Sequence, residues 1–478
     1  MSASLILFYY AGLIGIAATS LHRLYFALRS KKIHDFLAAS PLEKPACVTL
    51  QIPVFNEKHV VSRILSSISR IEYPKSCLQI QILDDSDDET TGIIETHLRS
   101  LREEGWTVEH LRRGHRKDFK AGALKEALAS ASGDYVAIFD ADFVVPPTFF
   151  NDTLPQFDRP QVGCVQIRWD FFNAEQNLLT KLQAILLRAH FEVEQRVRFD
   201  RGSFLTFNGT AGIWRKACIE NSGGWQNKSL TEDLDLSYRA QLNGWTIIYL
   251  NELTALSQLP VSFLDFQRQQ SRWAKGSMQS LKNLFLPLLR SKLSFAKKFS
   301  ALLHLGRHFS YLFTLAVLIA MPWVVSARAK GDVLNYVDAL AFFLSTASVM
   351  YYFSIPLMMD KNPIQKVTLF FGACLLGLSI TVQMVASAFE GLFLSVGEFV
   401  RTPKYVRVGS DYRGRGNKKD ALDLLFFTYF CFCFYRLFFS DIWLSKPFLV
   451  VTLSTLMVPV VAWIRGNLRA IQIPSGIP

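Results

Sequence analysis

Cysteine is sparse and unpaired in this sequence. The seven cysteines, Cys47, Cys77, Cys164, Cys218, Cys374, Cys431 and Cys433, follow no metal-ligand spacing and fall well below the density of a disulfide scaffold. That excludes a cysteine-stapled secreted module and fits a reducing, cytosolic compartment; none of the seven is given a chemical role. A small-residue cleavage site is also missing after the first apolar stretch, Leu5 to Leu28, which therefore reads as a retained membrane span. No basic residue precedes that stretch, whereas Arg29, Lys31 and Lys32 follow it. The positive-inside rule then puts the amino terminus outside and the long following segment in the cytoplasm.

What is abundant is apolar surface, 50% of 478 residues, unevenly spread. Residues 1–28 and 300–465 are rich in Phe, Leu, Ile and Val, while 43–260 has the mixed composition of a soluble fold. The net charge of +12 suits nucleic acid, anionic lipid or an anionic small substrate. Much of it flanks apolar segments, so membrane topology explains it, and the expected partner is a lipid bilayer with no nucleic acid. Further spans are expected near Phe309 to Ser326, Leu340 to Met359, Leu422 to Phe439 and Pro447 to Ile464. A single crossing at Val367 to Leu394 would leave Arg401, Lys404, Arg407, Arg413, Arg415, Lys418 and Lys419 outside, against the charge rule. That segment should lie along the interface or re-enter; two short crossings would keep the same parity.

Between Cys47 and Leu250 short apolar runs alternate with helical patterns: VTLQIPVF, LQIQIL, WTVEHL and YVAIFD, with helices near Lys58 to Arg70, Glu89 to Glu104 and Ala121 to Ser130. This rhythm argues for an α/β domain with a parallel-centred sheet, whose ligands gather at the carboxyl ends of the strands. Asp84 and Asp85 end one run, and Asp140 and Asp142 another. Aspartates at strand ends are common turn residues, yet alternation would throw Asp140 and Asp142 to one side if the strand continued, as a hard divalent cation requires. Ser229 to Asp233 precedes a helix expected to run to Asn243 and end at Gly244. It reads either as a capping box or as a carboxylate placed to take a proton from an attacking sugar hydroxyl. Gln269-Gln270-Ser271-Arg272-Trp273 reads either as an interfacial amphipathic stretch, or as Trp273 stacking on a sugar and Arg272 pairing with pyrophosphate; both fit at once.

Taken in order, QIPVFNE, LDDSDD, FKAGALKEAL, VAIFDADF, FNGTAGIWR, TEDLDLSYRA and QQSRW resemble the processive branch of glycosyltransferase family 2, nearest to the cellulose-synthase-like mannan and glucan synthases. The resemblance implies a GT-A domain mounted on interfacial helices. It implies a nucleotide-sugar donor, a polysaccharide acceptor and a divalent cation, Mg²⁺ or Mn²⁺, held by Asp140 and Asp142. It also implies donor contacts at Asp85, Lys120, Asp140, Gln269, Arg272, Thr402 and Lys404, and acceptor contacts at Trp273, Phe207, Asn208, Gly209 and Thr210. Asp233 takes the base position of a catalytic Thr231-Glu232-Asp233 motif.

The implied plan is an N-terminal span (1–30), a cytoplasmic GT-A domain (43–260), interfacial helices carrying QQSRW (261–300), two spans (301–360), an interfacial or re-entrant helix (361–398), a gating loop (399–420), two spans (421–466) and a cytoplasmic tail (467–478). The implied reaction is inverting, processive hexose transfer from UDP-glucose or GDP-mannose to a growing β-linked polysaccharide, with export. The small membrane bundle leaves a homo-oligomer open as the channel-forming state. A single-addition glycolipid-forming transferase and a non-catalytic membrane scaffold or conduit are the competing readings.

Overall fold

The computed structural model of the chain describes residues 3–30, 44–326, 333–357, 362–394, 397 and 420–438. Thr402, Lys404, most of the expected gating loop, the segment Pro447 to Ile464 and the expected tail lie outside the described residues.

The first parallel strands, β1 (Val48–Val54) and β2 (Leu78–Asp84), are buried along nearly their whole length. Near-continuous apolar runs of this kind are what a strand covered on both faces requires. They pair in register from Val48↔Leu78 to Val54↔Asp84, with β3 (Thr107–Arg112) beyond β2 and β4 (Tyr135–Ile138) on the other side of β1. The amphipathic helices α2 (Val61–Ile68) and α3 (Thr90–Glu103) cover one face, burying Ile64, Leu65, Ile94 and Leu98. Helix α4 (Phe119–Leu128) covers the other with Ala123, Leu124 and Ala127.

Three more strands complete a mixed, GT-A-like sheet of order β3-β2-β1-β4-β6-β5-β7, with β5 at Val162–Phe171, β6 at Gly212–Arg215 and β7 at Thr246–Ser257. Short helix α5 (Phe149–Thr153) follows β4, and α6 (Leu178–Arg188) and α7 (Arg196–Asp200) flank a π-helical turn at Ala189–Gln195. Helix α8 (Lys216–Asn221) follows β6, and α9 (Glu232–Leu242) ends near Gly244, whose φ of +90° suits a residue without Cβ. Strand order reverses direction at β1 and β4, which opens a crevice at their carboxyl ends. Only β6 runs antiparallel, between β4 and β5. Its entry therefore sits beside the exit of β4, and the loop before Gly212 is delivered to the same crevice.

Helix α10 (Phe263–Arg290) crosses beneath the crevice, capped by the Ser262 side chain, and leads through α11 (Phe295–Leu305) to α12 (Phe309–Ser326), α13 (Val333–Ser354), α14 (Pro363–Ser379), α15 (Thr381–Phe393) and α16 (Asp420–Phe438). Helix α1 (Ala3–Ser30) packs on α12 and α13. Among the described residues, α1 and Tyr336–Ser354 are long and apolar enough to cross a membrane. Two bent pairs, Phe295–Leu305 with Phe309–Val324 at 64° and Pro363–Ser379 with Thr381–Phe393 at 45°, raise the number to four if each is one span. The segment Val367 to Leu394 is thus broken at Ile380, a geometry that suits re-entry and paired short crossings alike.

Candidate active site

A cavity of about 180 Å³ opens at the carboxyl edge of the sheet. Asp85 reaches it from the end of β2, Lys120 from α4, and Asp140 and Asp142 from the segment after β4. Asn208 and Gly209 reach it from the loop before β6, Thr231, Glu232 and Asp233 from the start of α9, and Gln269, Arg272 and Trp273 from α10. These residues come from six separate parts of the chain, yet all line one space.

Two expected geometries differ in the structure. Asp140 and Asp142 do not share a side by strand alternation, because β4 ends at Ile138 and the Phe143 N–H closes a turn onto the Asp140 carbonyl at 3.0 Å. The turn, with Asp140 N–H donating to Thr210 Oγ1 at 2.8 Å, aims both carboxylates at the cavity. Nor is there a capping box at α9: its N-cap is Thr231, without a side-chain cap bond. The hydroxyls nearby are engaged elsewhere, Ser229 Oγ donating to the Gly276 carbonyl at 2.8 Å and lying 3.0 Å from Thr231 Oγ1. That leaves the first-turn acids Glu232 and Asp233 directed into the cavity.

Of the four residues expected on the acceptor side of the FNGTAG loop, only Asn208 and Gly209 line the cavity. Phe207 is fully buried edge-on against Trp214, and Thr210 is buried, holding Asp140 in place. An alternating, partly buried loop cannot turn four successive side chains to one space. Gly209 has φ +82°, and a Cβ there would stand 2.8 Å from an Asp233 carboxylate oxygen. Any side chain at 209 would push against the candidate base.

Lys120 Nζ bridges Asp140 Oδ1 at 2.5 Å and the Gly209 carbonyl at 2.7 Å. Burial opposes its charge, but Asp140, Glu232 and Asp233 together hold it above the usual lysine range. Burial pushes the Asp233 carboxyl up to about 7, reinforced by neighbouring Glu232 and opposed by the Leu234 N–H, Lys120 and Arg272. Glu232 is raised too, chiefly by burial. Burial lowers Arg272, against the pull of Glu232, Asp140 and Asp233. The site thus contains a carboxyl that changes charge near neutral pH, the condition for proton abstraction at physiological pH.

On the opposite rim Asp85 is clamped by Arg113, whose Nε and Nη2 both donate to it, at 2.9 and 2.5 Å. Adjacent Asp84 is buried, accepting from Thr91 Oγ1 and the Ser86 N–H and lying 3.0 Å from His110. The two aspartates that look alike in sequence are therefore one cavity residue and one structural residue. Arg113, Arg116, Phe55, Glu57, Trp169 and Gln258 escaped the sequence reading. Five of them line the cavity and Arg113 supports it, and all but Arg116 stand just past or near a strand end, the signal by which Asp85 and Asp140 were found.

As a cation site, Asp140 and Asp142 offer hard oxygen donors, which is the right chemistry for Mg²⁺ or Mn²⁺. Among the described residues no group of three or more His, Cys, Asp or Glu could hold a metal. Two carboxylates leave coordination positions to be filled by diphosphate oxygens, so the donor set fits an ion that arrives with its nucleotide.

The model of glycosyltransferase like family 2 matches residues 45–276, from the first strand through the QQSRW helix. Residues 45–276 are a family 2 glycosyltransferase domain. The domain is similar to the probable glucomannan 4-beta-mannosyltransferase 10 of Arabidopsis thaliana, with 39% identity over 250 residues, 51% of this chain and 45% of that relative. The chain thus matches less than half the length of this curated relative. In fold, the chain is similar to the mannosyltransferase PcManGT from Pyrobaculum calidifontis, solved with GDP-Man and Mn²⁺. The TM-score is 0.53 at 18% identity, covering 81% of this chain and 99% of that one.

Proposed function

We propose that this protein is an inverting, processive membrane glycosyltransferase that adds hexose, mannose from GDP-mannose or glucose from UDP-glucose, to the end of a β-linked polysaccharide and exports it. The observation that carries the reading is the convergence of Asp85, Lys120, Asp140, Asp142, Asp233, Arg272 and Trp273 on one cavity. GDP-mannose is the first donor to test, because the similar plant relative is named a mannosyltransferase and the archaeal one was solved with GDP-Man.

In this reading Asp85 and Lys120 receive the nucleotide and its diphosphate. Asp140 and Asp142 would hold a divalent cation, which supplies Lewis-acid neutralisation of the leaving group. Trp273 offers a ring for the acceptor sugar to stack on. Asp233, ionised, takes the proton of the acceptor hydroxyl as that oxygen attacks the anomeric carbon and the carbon–oxygen bond to the diphosphate breaks. Attack from the face opposite the leaving group inverts the configuration. Arg272 and Lys120 face the charge that grows on the departing diphosphate. Thr402 and Lys404, outside the described residues, are proposed to close over the donor.

The bilayer is the proposed setting, with the catalytic domain on the cytoplasmic side; the basic flanks of the apolar segments support this. The test is to offer the purified chain a panel of nucleotide sugars with Mg²⁺ or Mn²⁺ and resolve the products by length. A ladder of oligosaccharides from GDP-mannose or UDP-glucose is expected. One discrete glycolipid would overturn processivity, and no consumption of any donor would overturn the enzymatic reading.

A further inference from the structure

Beyond Trp273, one face of α10 continues as a polar stripe at helical spacing, Gly276, Gln279, Ser280 and Asn283, and this stripe is bonded to the segment that leads into Asp233. Asn283 Nδ2 donates to the Lys228 carbonyl at 3.0 Å. Ser280 Oγ donates to Ser229 Oγ at 3.0 Å, and Ser229 Oγ donates to the Gly276 carbonyl at 2.8 Å. Gln279 Oε1 accepts the Leu230 N–H at 2.9 Å. Ser229, Gln279 and Ser280 are all nearly inaccessible, so no water competes for these bonds. At Gly276 the two segments touch: a Cβ there would lie 2.6 Å from Thr231 Cγ2, 2.8 Å from its Oγ1 and 2.9 Å from its N.

Four contacts in successive register along one helix do more than hold two elements together. The candidate base stands two residues past Thr231, and Arg272 and Trp273 stand four and three residues before Gly276. The stitch therefore sets the distance between the group that takes the acceptor's proton and the groups facing acceptor and diphosphate. Backbone N–H of Leu230 has its bond only through Gln279, among the bonds described, so loss of that side chain leaves a buried donor unpaired.

We infer that Gly276 and Gln279 are positioning residues for transfer, acting through the Ser229–Thr231 segment to hold Asp233 in register with Arg272 and Trp273. The inference rests on the proposed role of Asp233 and adds to it a spacing device lying outside the cavity's reacting groups. Arg272 on α10 faces the diphosphate, but the other proposed donor-side residues Asp85, Lys120 and Asp140 sit on elements the stitch does not join, so a disturbed stitch should impair the chemical step far more than nucleotide binding.

The groups that face Asp233 are Glu232 on its own helix, Lys120 on α4 and Arg272 on α10. Burial is the largest influence raising Asp233, so loosening α10 and admitting water should move its titration toward the ordinary carboxylate range.

The experiment uses the full chain in lipid nanodiscs and compares Gly276→Ala and Gln279→Leu with the parent. It measures nucleoside diphosphate release against donor concentration and pH, nucleoside diphosphate affinity by calorimetry, and thermal unfolding as a check of fold. The expected result is a fall in kcat of about 10- to 100-fold, the scale of an ångström-sized misplacement, with nucleotide affinity within about 2-fold of the parent, well under the factor of ten that 1.4 kcal/mol represents. The acid limb of the kcat profile should shift to lower pH in both variants. If Gly276→Ala does not fold, Gln279→Leu alone decides. Unchanged kcat in folded variants, or nucleotide affinity falling in step with kcat, overturns the inference and leaves the proposed function standing. A parent chain that consumes no nucleotide sugar removes both.

Discussion

On the β2 rim of the cavity Asp84 and Asp85 each have a protein cation or proton donor against them, whereas at α9 three acids, Glu232, Asp233 and Asp140, face two cations, Lys120 and Arg272. The first rim is complete without a ligand: Arg113 satisfies Asp85, and the bonds from His110, Ser86 and Thr91 outweigh burial and hold Asp84 below the usual carboxylate range. The second is under-compensated, and burial raises the Glu232 and Asp233 carboxyls toward the protonated form. The proposed reaction, which binds an anion and takes a proton, would use both kinds of rim. One supplies fixed geometry, and the other holds a charge change in reserve.

The sharpest break in that contrast is Asp233→Asn. Loss of a general base costs about 10²- to 10⁴-fold in rate, so donor turnover should collapse while calorimetric nucleotide affinity persists. Full turnover in that variant would remove Asp233 from the mechanism.

Next in size is Arg113→Met, which strands buried Asp85. Removing one partner of a buried pair costs about 3–5 kcal/mol, to be read from denaturant unfolding of the full chain. A loss no greater than that at a surface pair would show that this rim is not the completed one.

The pH response separates the rims by sign. Asp84, depressed in the fold, contributes stability above the ordinary carboxylate range that is lost as pH falls through it. Asp233, raised to about 7, does the opposite: its stabilising proton is fully present in acid and lost as pH rises toward 7. Relative to the parent, Asp233→Asn should gain thermal stability between about pH 4, where a free carboxylate ionises, and pH 7. A constant difference across that window would count against a raised carboxyl. Activity of the parent should climb over the same interval as the base ionises.

The smallest effect is expected at Lys58→Met. Lys58 and Glu89 pair at 3.1 Å with 35% and 77% of their side chains exposed. Such surface pairs contribute about 0–1 kcal/mol, so unfolding should move little, in contrast to Arg113.

Much of the catalytic domain was legible in its residues. The alternating runs located β1 to β4 and α2 to α4 within a few residues, because a buried parallel strand and an amphipathic helix each carry their own period. Asp85, Asp140, Asp142 and Asp233 were picked out as candidates at strand ends and a helix start, and all four line the cavity. The candidate spans were legible as apolar lengths only, because length and hydropathy carry no information on which helices pair.

Local pattern could not tell Asp84 from Asp85, because the difference is set by Arg113 and His110, 28 and 26 residues away. The family resemblance put Phe207 and Thr210 on the acceptor side, whereas in the loop before β6 Phe207 packs against Trp214 and Thr210 accepts the Asp140 N–H. Local pattern offered a capping box where Ser229 instead bonds α10, 47 residues on. Composition and periodicity determine which elements form and which residues close them, through forces acting over a turn or a strand. Which carboxylate is paired with a guanidinium, which is pushed by burial toward holding its proton longer, and how far the candidate base stands from the QQSRW helix were decided only in the folded molecule, where distant segments supply the charges, the hydrogen bonds and the exclusion of water.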